Sequence, residues 1–244
     1  MDSNRWWVLA TVVAAQFMYV VDAFIVNVSL PAIQSDLHAS AGEMQGVIVC
    51  YLVAFAALVV IGGRLGDLFG AKPLFLAGLV GFTATSLWCG LAGSGIELVA
   101  ARTSQGATAA LMIPQVLGTI HQLFPDHERG RAFGIYGTVL GLGGAVGFGL
   151  GGWLIGVDLG GLGWRAIFFV NGPVGLVLIA MAARLMTTTL GKPATKLDII
   201  GADLLFSALL CLLGPIVVGR ELGWPLWLIE VAGLGAVLLS VFWW

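Results

Sequence analysis

Asp22 sits inside FMYVVDAFIVNVSLP, residues 17 to 31, an apolar run long enough to cross a bilayer. An ionised Asp at the centre of a membrane helix costs about 2.5–3.5 kcal/mol on insertion scales, so it needs either a partner or a task. The candidate partner is Arg102, in LVAARTSQGATAA (98–110), where Arg102, Gln105 and Gly106 are spaced to share one helix face. A guanidinium does not shed its proton and must find an anion, carbonyls or water. At a rise of about 1.5 Å per residue, Asp22 lies about 20 Å into a core about 30 Å thick, entered from the N-terminal side. Arg102 lies about 9 Å in from the opposite side. The two are therefore expected at similar heights, facing one aqueous cavity. Tyr19, Asp22, Val26 and Ser29 share a helix face, an aromatic and polar setting suited to organic cations. The competing reading is an Asp that pairs with Arg102 for structure alone. Asn27 and Asn171 are polar residues that neighbouring helices must satisfy, and Asn27 is a candidate for either cavity or packing.

The elements that must position these residues follow from composition. Of 244 residues, 59% are hydrophobic and 10% charged, against about 45–50% and about 25% in a soluble domain. The chain reads as an integral membrane protein. Apolar runs give eight candidate spans, about 6–30, 45–66, 73–91, 96–123, 131–155, 166–185, 199–218 and 226–244. A cytoplasmic N-terminus puts Arg5, Arg64, Lys72, Arg129, Arg131, Arg184, Lys192 and Lys196 inside and only Arg165 and Arg220 outside. That asymmetry fits the positive-inside rule and a multi-pass protein of the cytoplasmic (inner) membrane. The final run, LWLIEVAGLGAVLLSVFWW, ends without a polar flank, and the expectation is a chain truncated in or just after its eighth span.

Other chemistries find little support. The net charge of −2 supplies no basic field for nucleic acid. Cys50, Cys89 and Cys211 are dispersed inside apolar runs, without disulfide or zinc spacing, and read as small core residues. His38, His121 and His127 fall in loops or near span ends without metal-ligand spacing. Gly147, Gly149 and Gly152 spell a formal G-x-G-x-x-G, but inside a membrane-length run with no preceding strand. No cofactor or metal is implied. An intramembrane hydrolase would need a nucleophile beside a base, and Ser and His do not meet at a common depth, so the chain is not read as an enzyme.

Four stretches together resemble the major facilitator superfamily, and within it the drug:proton antiporters with fourteen spans. GGRLGDLFGAKPLF (62–75) is similar to the loop between spans two and three, with Gly63, Leu65, Asp67, Gly70 and Lys72 in register and two basic positions replaced by Leu68 and Ala71. Arg102, Gln105 and Gly106 match R-x-x-Q-G. Gly134, Gly143, Gly147, Gly151 and Gly152 fall on the glycine signature of the antiporters, with Phe148 where that signature has proline; ordinary close packing would use the same glycines. VDAFIVNVSLP and GWRAIFFVNGP (163–173) are similar to further family stretches, and place Pro31 and Pro173 at or near helix ends.

The resemblance implies an all-α polytopic membrane protein. Residues 1–190 would form a six-helix N-terminal transporter lobe and 191–244 two additional transmembrane helices. It implies proton-coupled efflux of drugs or other lipophilic small molecules by alternating access between two lobes. Asp22, Arg102, Tyr19, Gln105 and Asn27 would bind substrate and proton, and Gly63, Asp67, Gly70 and Lys72 would form a gating loop. Gly143, Gly147, Gly151 and Gly152 would form the antiporter glycine motif, which is thought to bend span five. The implied partners are the substrate, the proton, the bilayer, and a missing second lobe or a second copy. The alternative is a truncated, non-transporting membrane module that binds a partner or dimerises.

Overall fold

A computed structural model describes residues 2–187 and 199–243. In lipid every backbone N–H and C=O must be satisfied within the protein, which leaves helices as the economical solution for apolar runs of this length. The elements are α1 (Asp2–Leu37), α2 (Ala41–Phe69), α3 (Ala71–Leu91), α4 (Gly95–Leu123), α5 (Asp126–Val157), α6 (Ala166–Phe169), α7 (Asn171–Leu185), α8 (Ile199–Leu222) and α9 (Leu226–Trp243). Two short 3-10 turns, Leu159–Gly161 and Gly163–Arg165, lead into α6.

Among the described residues, six helical stretches are long and apolar enough to cross a membrane: α1, α2, α3, α5, α9, and the broken rod Gly163–Leu185 that contains α6 and α7. Two of the eight expected spans do not qualify by apolarity. α4 carries Arg102, Gln105 and Gln115, all buried, so it is too polar for lipid and sits enclosed by protein instead. In α8 the apolar stretch is the shorter Asp203–Ile216.

Local sequence explains the boundaries. Ser40 caps α2 in a capping box, accepting from the Glu43 amide at 3.1 Å while Glu43 accepts from the Ser40 amide at 2.7 Å. Ser94 caps α4 by accepting from the Glu97 amide at 3.2 Å. A single residue, Gly70, joins α2 to α3 with φ 93°, a conformation open to glycine and strained for other residues. Pro31 departs from expectation: it lies inside α1, which runs six residues further, to Leu37. Pro173 occupies the first turn of α7, where its missing donor costs no intrahelical bond.

α4 packs most extensively on α2 and then α3, while α1 packs on α5 and α7; α1 and α4 meet between these two sets. α8 pairs with α9 and rests on α2. Two apolar clusters form the core. One includes Val12, Phe75, Leu79, Phe82, Met112 and Ile120, the other Ile25, Val47, Leu98, Leu154, Ile167 and Phe168. Arg5, Lys72, Gln122 and Met186 gather at the N-terminal face, where Arg5 pairs with Glu128 at 2.9 Å. On the opposite face Arg165 reaches Asp36 at 2.5 Å and Trp164 Nε1 donates to the same carboxylate at 3.0 Å.

The α2–α4 contact depends on missing side chains. A Cβ at Gly62 would strike the Ala110 carbonyl, one at Gly66 the Gln115 amide, and one at Gly106 the Tyr51 carbonyl. Gln115 Nε2 donates to the Gly62 carbonyl at 2.9 Å across this seam. Gly106→Val is expected to cost about 1–3 kcal/mol by overpacking and to lower the thermal midpoint of the detergent-solubilised protein. Gly118→Ala, where an added Cβ meets nothing within 4 Å, should leave it unchanged; equal loss in both variants would contradict the seam.

Candidate functional site

Asp22 and Arg102 meet in the interior, between the two apolar clusters. Arg102 Nη1 donates to Asp22 Oδ2 at 2.5 Å, with side-chain exposures of 1% and 0%. The same nitrogen donates to Gln105 Oε1 at 2.7 Å, and Gln105 Nε2 donates to Asp22 Oδ1 at 3.0 Å. The spacing of three on α4 therefore closes a ring around the carboxylate. Asn171 Nδ2 donates to Asp22 Oδ1 at 2.8 Å and to Ser86 Oγ at 3.0 Å, while Ser86 Oγ donates to the Phe168 carbonyl at 3.0 Å.

The guanidinium is held on its other side by α2. Arg102 Nε donates to the Val47 carbonyl at 3.3 Å, and its Cζ stands 3.8 Å from the centroid of the Tyr51 ring. Tyr51 is buried and its hydroxyl has no hydrogen-bond partner among the described residues. Cys89 Sγ lies 3.6 Å from Gln105 Oε1. One ion pair thus gathers side chains or carbonyls from α1, α2, α3, α4 and α7. Such a pair holds because both carboxylate oxygens and the Nε and Nη1 protons of the guanidinium are answered.

Of the residues expected at the site, Asp22, Arg102 and Gln105 come together directly. Tyr19 is one ring removed, stacked on Tyr51 at 6.1 Å and tilted on Phe55 at 5.1 Å. Asn27 does not join: its Nδ2 donates to the Ala23 and Phe24 carbonyls of its own helix, both at 3.2 Å. Where an aqueous cavity was expected, both charges are enclosed by protein among the described residues. Ser86 and Tyr51 were invisible as site residues, because a lone Ser or Tyr in an apolar run has no distinguishing spacing. Asn171 did carry a signal, being an amide in a membrane-length run.

The residues expected to form a gating loop lie where α2 meets α3. Asp67 is exposed on the last turn of α2 and Gly70 makes the reversal. Lys72 does something further: its Nζ donates to the Ala183 and Met186 carbonyls at 2.8 and 2.6 Å, tying α3 to the C-terminal end of α7. Gly63 has ordinary room, with Pro114 at 3.6 Å from an added Cβ, and the close-packed glycines are its neighbours Gly62 and Gly66.

Along α5, Gly143, Gly147 and Gly151 pack on α1. An added Cβ would stand 2.6 Å from Val20, 2.9 Å from the Val21 carbonyl and 2.9 Å from Ile25 respectively. Gly152 is exposed and touches nothing within 4 Å. Phe148, at the proline position of the signature, pairs with Phe24 at 5.6 Å, and α5 runs unbroken past it.

The family profile described as Major Facilitator Superfamily matches residues 12–244. The chain belongs to the Major Facilitator Superfamily. Among curated superfamily members it is 42% identical over 240 residues to a probable actinorhodin transporter of Streptomyces coelicolor, covering 98% of this chain and 42% of that one. It is 38% identical over 244 residues to a puromycin resistance protein of Streptomyces alboniger, covering 99% of this chain and 47% of that one. It is 37% identical over 220 residues to a tetracenomycin C resistance and export protein of Streptomyces glaucescens, covering 90% and 40%. The chain thus spans less than half the length of these curated relatives. A bacterial homologue of the human lysosomal transporter Spinster, solved in an inward-facing and occupied conformation, aligns with a TM-score of 0.66 at 19% identity, covering 91% of this chain and 54% of that one. The fold is that of a superfamily N-terminal lobe with two further helices, a multi-pass membrane protein.

Removing one member of a buried ion pair costs about 3–5 kcal/mol because the other charge is left uncompensated. Asp22→Asn and Arg102→Gln are each expected to destabilise the solubilised protein by that order. The double variant should lose less than the sum, by up to about 3 kcal/mol. Additive losses in a thermal or denaturant series would show that the two charges do not interact.

Proposed function

We propose that the chain is the N-terminal part of a proton-coupled exporter of lipophilic small molecules. The observation that carries this reading is the buried Asp22–Arg102 pair, braced by Gln105 and Asn171 where α1, α4 and α7 meet. Protonation of Asp22 would leave a buried guanidinium without its counter-charge, so a proton on that oxygen changes the free energy of the α1–α4 contact. A carrier that alternates between two lobe arrangements uses such a contact to couple proton binding to rocking. The exporters and resistance proteins among the relatives support small-molecule export. The direction is protons inward and substrate outward across the cytoplasmic membrane.

The N-terminus lies in the cytoplasm under this reading. Arg5, Arg64, Lys72, Arg129, Arg131 and Arg184 belong to helix ends on the N-terminal side, and Arg165 to the opposite side, the asymmetry that the positive-inside rule requires. Asp67 and Gly70 would act at the gate between lobes, with Lys72 holding their loop to the end of α7. Gly143, Gly147 and Gly151 would let α5 and α1 move as one unit.

A second reading is favoured by the face of α5 that carries Gly141, Gly149, Gly152 and Gly156, open within 4 Å. Such a face suits a helix of another lobe or of a second copy, and a module that only pairs would use it without transporting.

The test is efflux of a panel of fluorescent lipophiles from cells expressing the chain alone, or the chain joined to the second lobe of a curated relative. Export by at least one form is expected, abolished by a protonophore. Asp22→Asn should reduce it at least tenfold at equal membrane abundance. Export indifferent to both would sink proton coupling through Asp22. Cross-linked pairs without export in either form would leave the pairing module standing instead.

A further inference from the structure

A second feature of the lobe lies on the far side of α4 from the ion pair. A cavity of about 490 Å³ is bounded by Cys50, Val53, Ala54 and Leu58 of α2, Thr103, Ser104 and Ala107 of α4, and Phe206, Leu210 and Gly214 of α8. That volume is in the range of sites that take drug-sized molecules. The three contributing stripes follow helical periodicity: positions 50, 54 and 58, positions 103 and 107, and positions 206, 210 and 214 each recur every four residues. Ala54, Ala107 and Gly214 supply the room, and an added Cβ at Gly214 meets nothing within 4 Å. Phe206, Leu210, Val53 and Leu58 supply apolar walls.

The polar atoms on this lining are few and have a definite sense. Thr103 Oγ1 donates to the Val99 carbonyl at 2.7 Å and Ser104 Oγ to the Ala100 carbonyl at 3.0 Å. Each hydroxyl has therefore committed its proton to its own helix and keeps lone pairs only for accepting, with the Cys50 thiol already beside Thr103, and Ser104 left for an occupant. None of the lining residues is charged. Asp22, across α4, has Arg102, Gln105 and Asn171 on its oxygens, which leaves it poorly disposed to hold an organic cation, and Asp203, one turn before Phe206 on α8, is exposed and is not part of the lining.

We propose that the cleft between α2, α4 and α8 is a binding site for an uncharged, ring-sized lipophile bearing a hydrogen-bond donor. The inference rests on the export reading for its biological meaning and narrows the substrate class from lipophilic molecules in general to neutral ones. The site shares α4 with the ion pair: Arg102 and Thr103 are consecutive, as are Tyr51 and Cys50 on α2. An occupant would press on the same helical turns that hold the guanidinium.

The test is equilibrium binding of aminoanthracene, neutral at pH 7 and fluorescent in apolar surroundings, to the purified chain in nanodiscs without a proton gradient. Saturable binding is expected, with affinity reduced at least tenfold by Gly214→Phe and by Ala107→Leu, two variants that fill the cleft from different helices. Gly233→Leu, which adds an equally apolar side chain at an exposed position of α9 where an added Cβ meets nothing within 4 Å, should bind as the parent does. Excess tetraphenylphosphonium should not compete. Non-saturable partition, equal affinity in the filled variants, or full competition by the cation would each overturn the proposal. So would a phospholipid retained by the parent and released by Gly214→Phe with no saturable probe binding. Helical content and thermal midpoint check that filled variants are folded. Because no gradient is present, binding without proton-dependent efflux would count against the exporter reading alone. Efflux without saturable binding would count against this cleft alone.

Discussion

Two full charges enclosed in the apolar interior of one lobe set the terms for everything around them. Moving an isolated carboxylate or guanidinium out of water costs several kcal/mol even after relaxation, and the Coulomb attraction of the pair repays it only with good geometry and no idle hydrogen-bonding groups. Asp22 and Arg102 go most of the way to that requirement by recruiting Gln105, Asn171 and the Val47 carbonyl, with the Tyr51 ring against the guanidinium and only the Tyr51 hydroxyl left idle beside them. The partners come from α1, α2, α4 and α7, so the pair fixes the mutual height and rotation of these helices more tightly than apolar packing alone would. α4 can be too polar for lipid because the other helices enclose its polar face.

Close approach is the second condition, and glycine provides it twice. On one side Gly62, Gly66 and Gly106 bring α2 against α4, which is what lets Tyr51 and the Val47 carbonyl reach Arg102. On the other, Gly143, Gly147 and Gly151 bring α5 against the face of α1 beside Asp22. Without an aqueous hydrophobic effect between helices in lipid, such contacts rely on dispersion and on backbone proximity, and a single added methyl group is felt directly. α4 packs with α2 and α3, α1 packs with α5 and α7, and α7 also rests on α3. The ion pair joins the centres of the two sets.

On the proposed reading, this arrangement would give a carrier a point of control. On the proposed exporter reading, the enclosed pair would favour this arrangement of α1 against α4 while both members are charged. The neighbouring cleft on α2, α4 and α8 borders the same turns of α2 and α4. Proton and lipophile would then act on one helix from opposite faces, a form of coupling that needs no contact between them.

The sequence by itself determined the class of protein, the helical runs and the identity of the central pair. A lone Asp and a lone Arg in membrane-length runs are too costly to be incidental, and helical spacing placed Gln105 beside Arg102. Sequence pattern also marked the reversal at Gly70 and the packing glycines of α5. Tertiary structure decided what periodicity does not encode. Asn171 joined the carboxylate and Asn27 did not, although both are amides in apolar runs, because only α7 turns its amide towards Asp22 while Asn27 is satisfied by its own helix. Lys72 turned out to close the end of α7, a partner more than a hundred positions away. Pro31 stayed inside α1, and α4 proved enclosed where its apolar pattern had suggested an ordinary span. In each case the deciding fact was which surface faced the residue across a helix–helix contact, and that depends on the whole bundle.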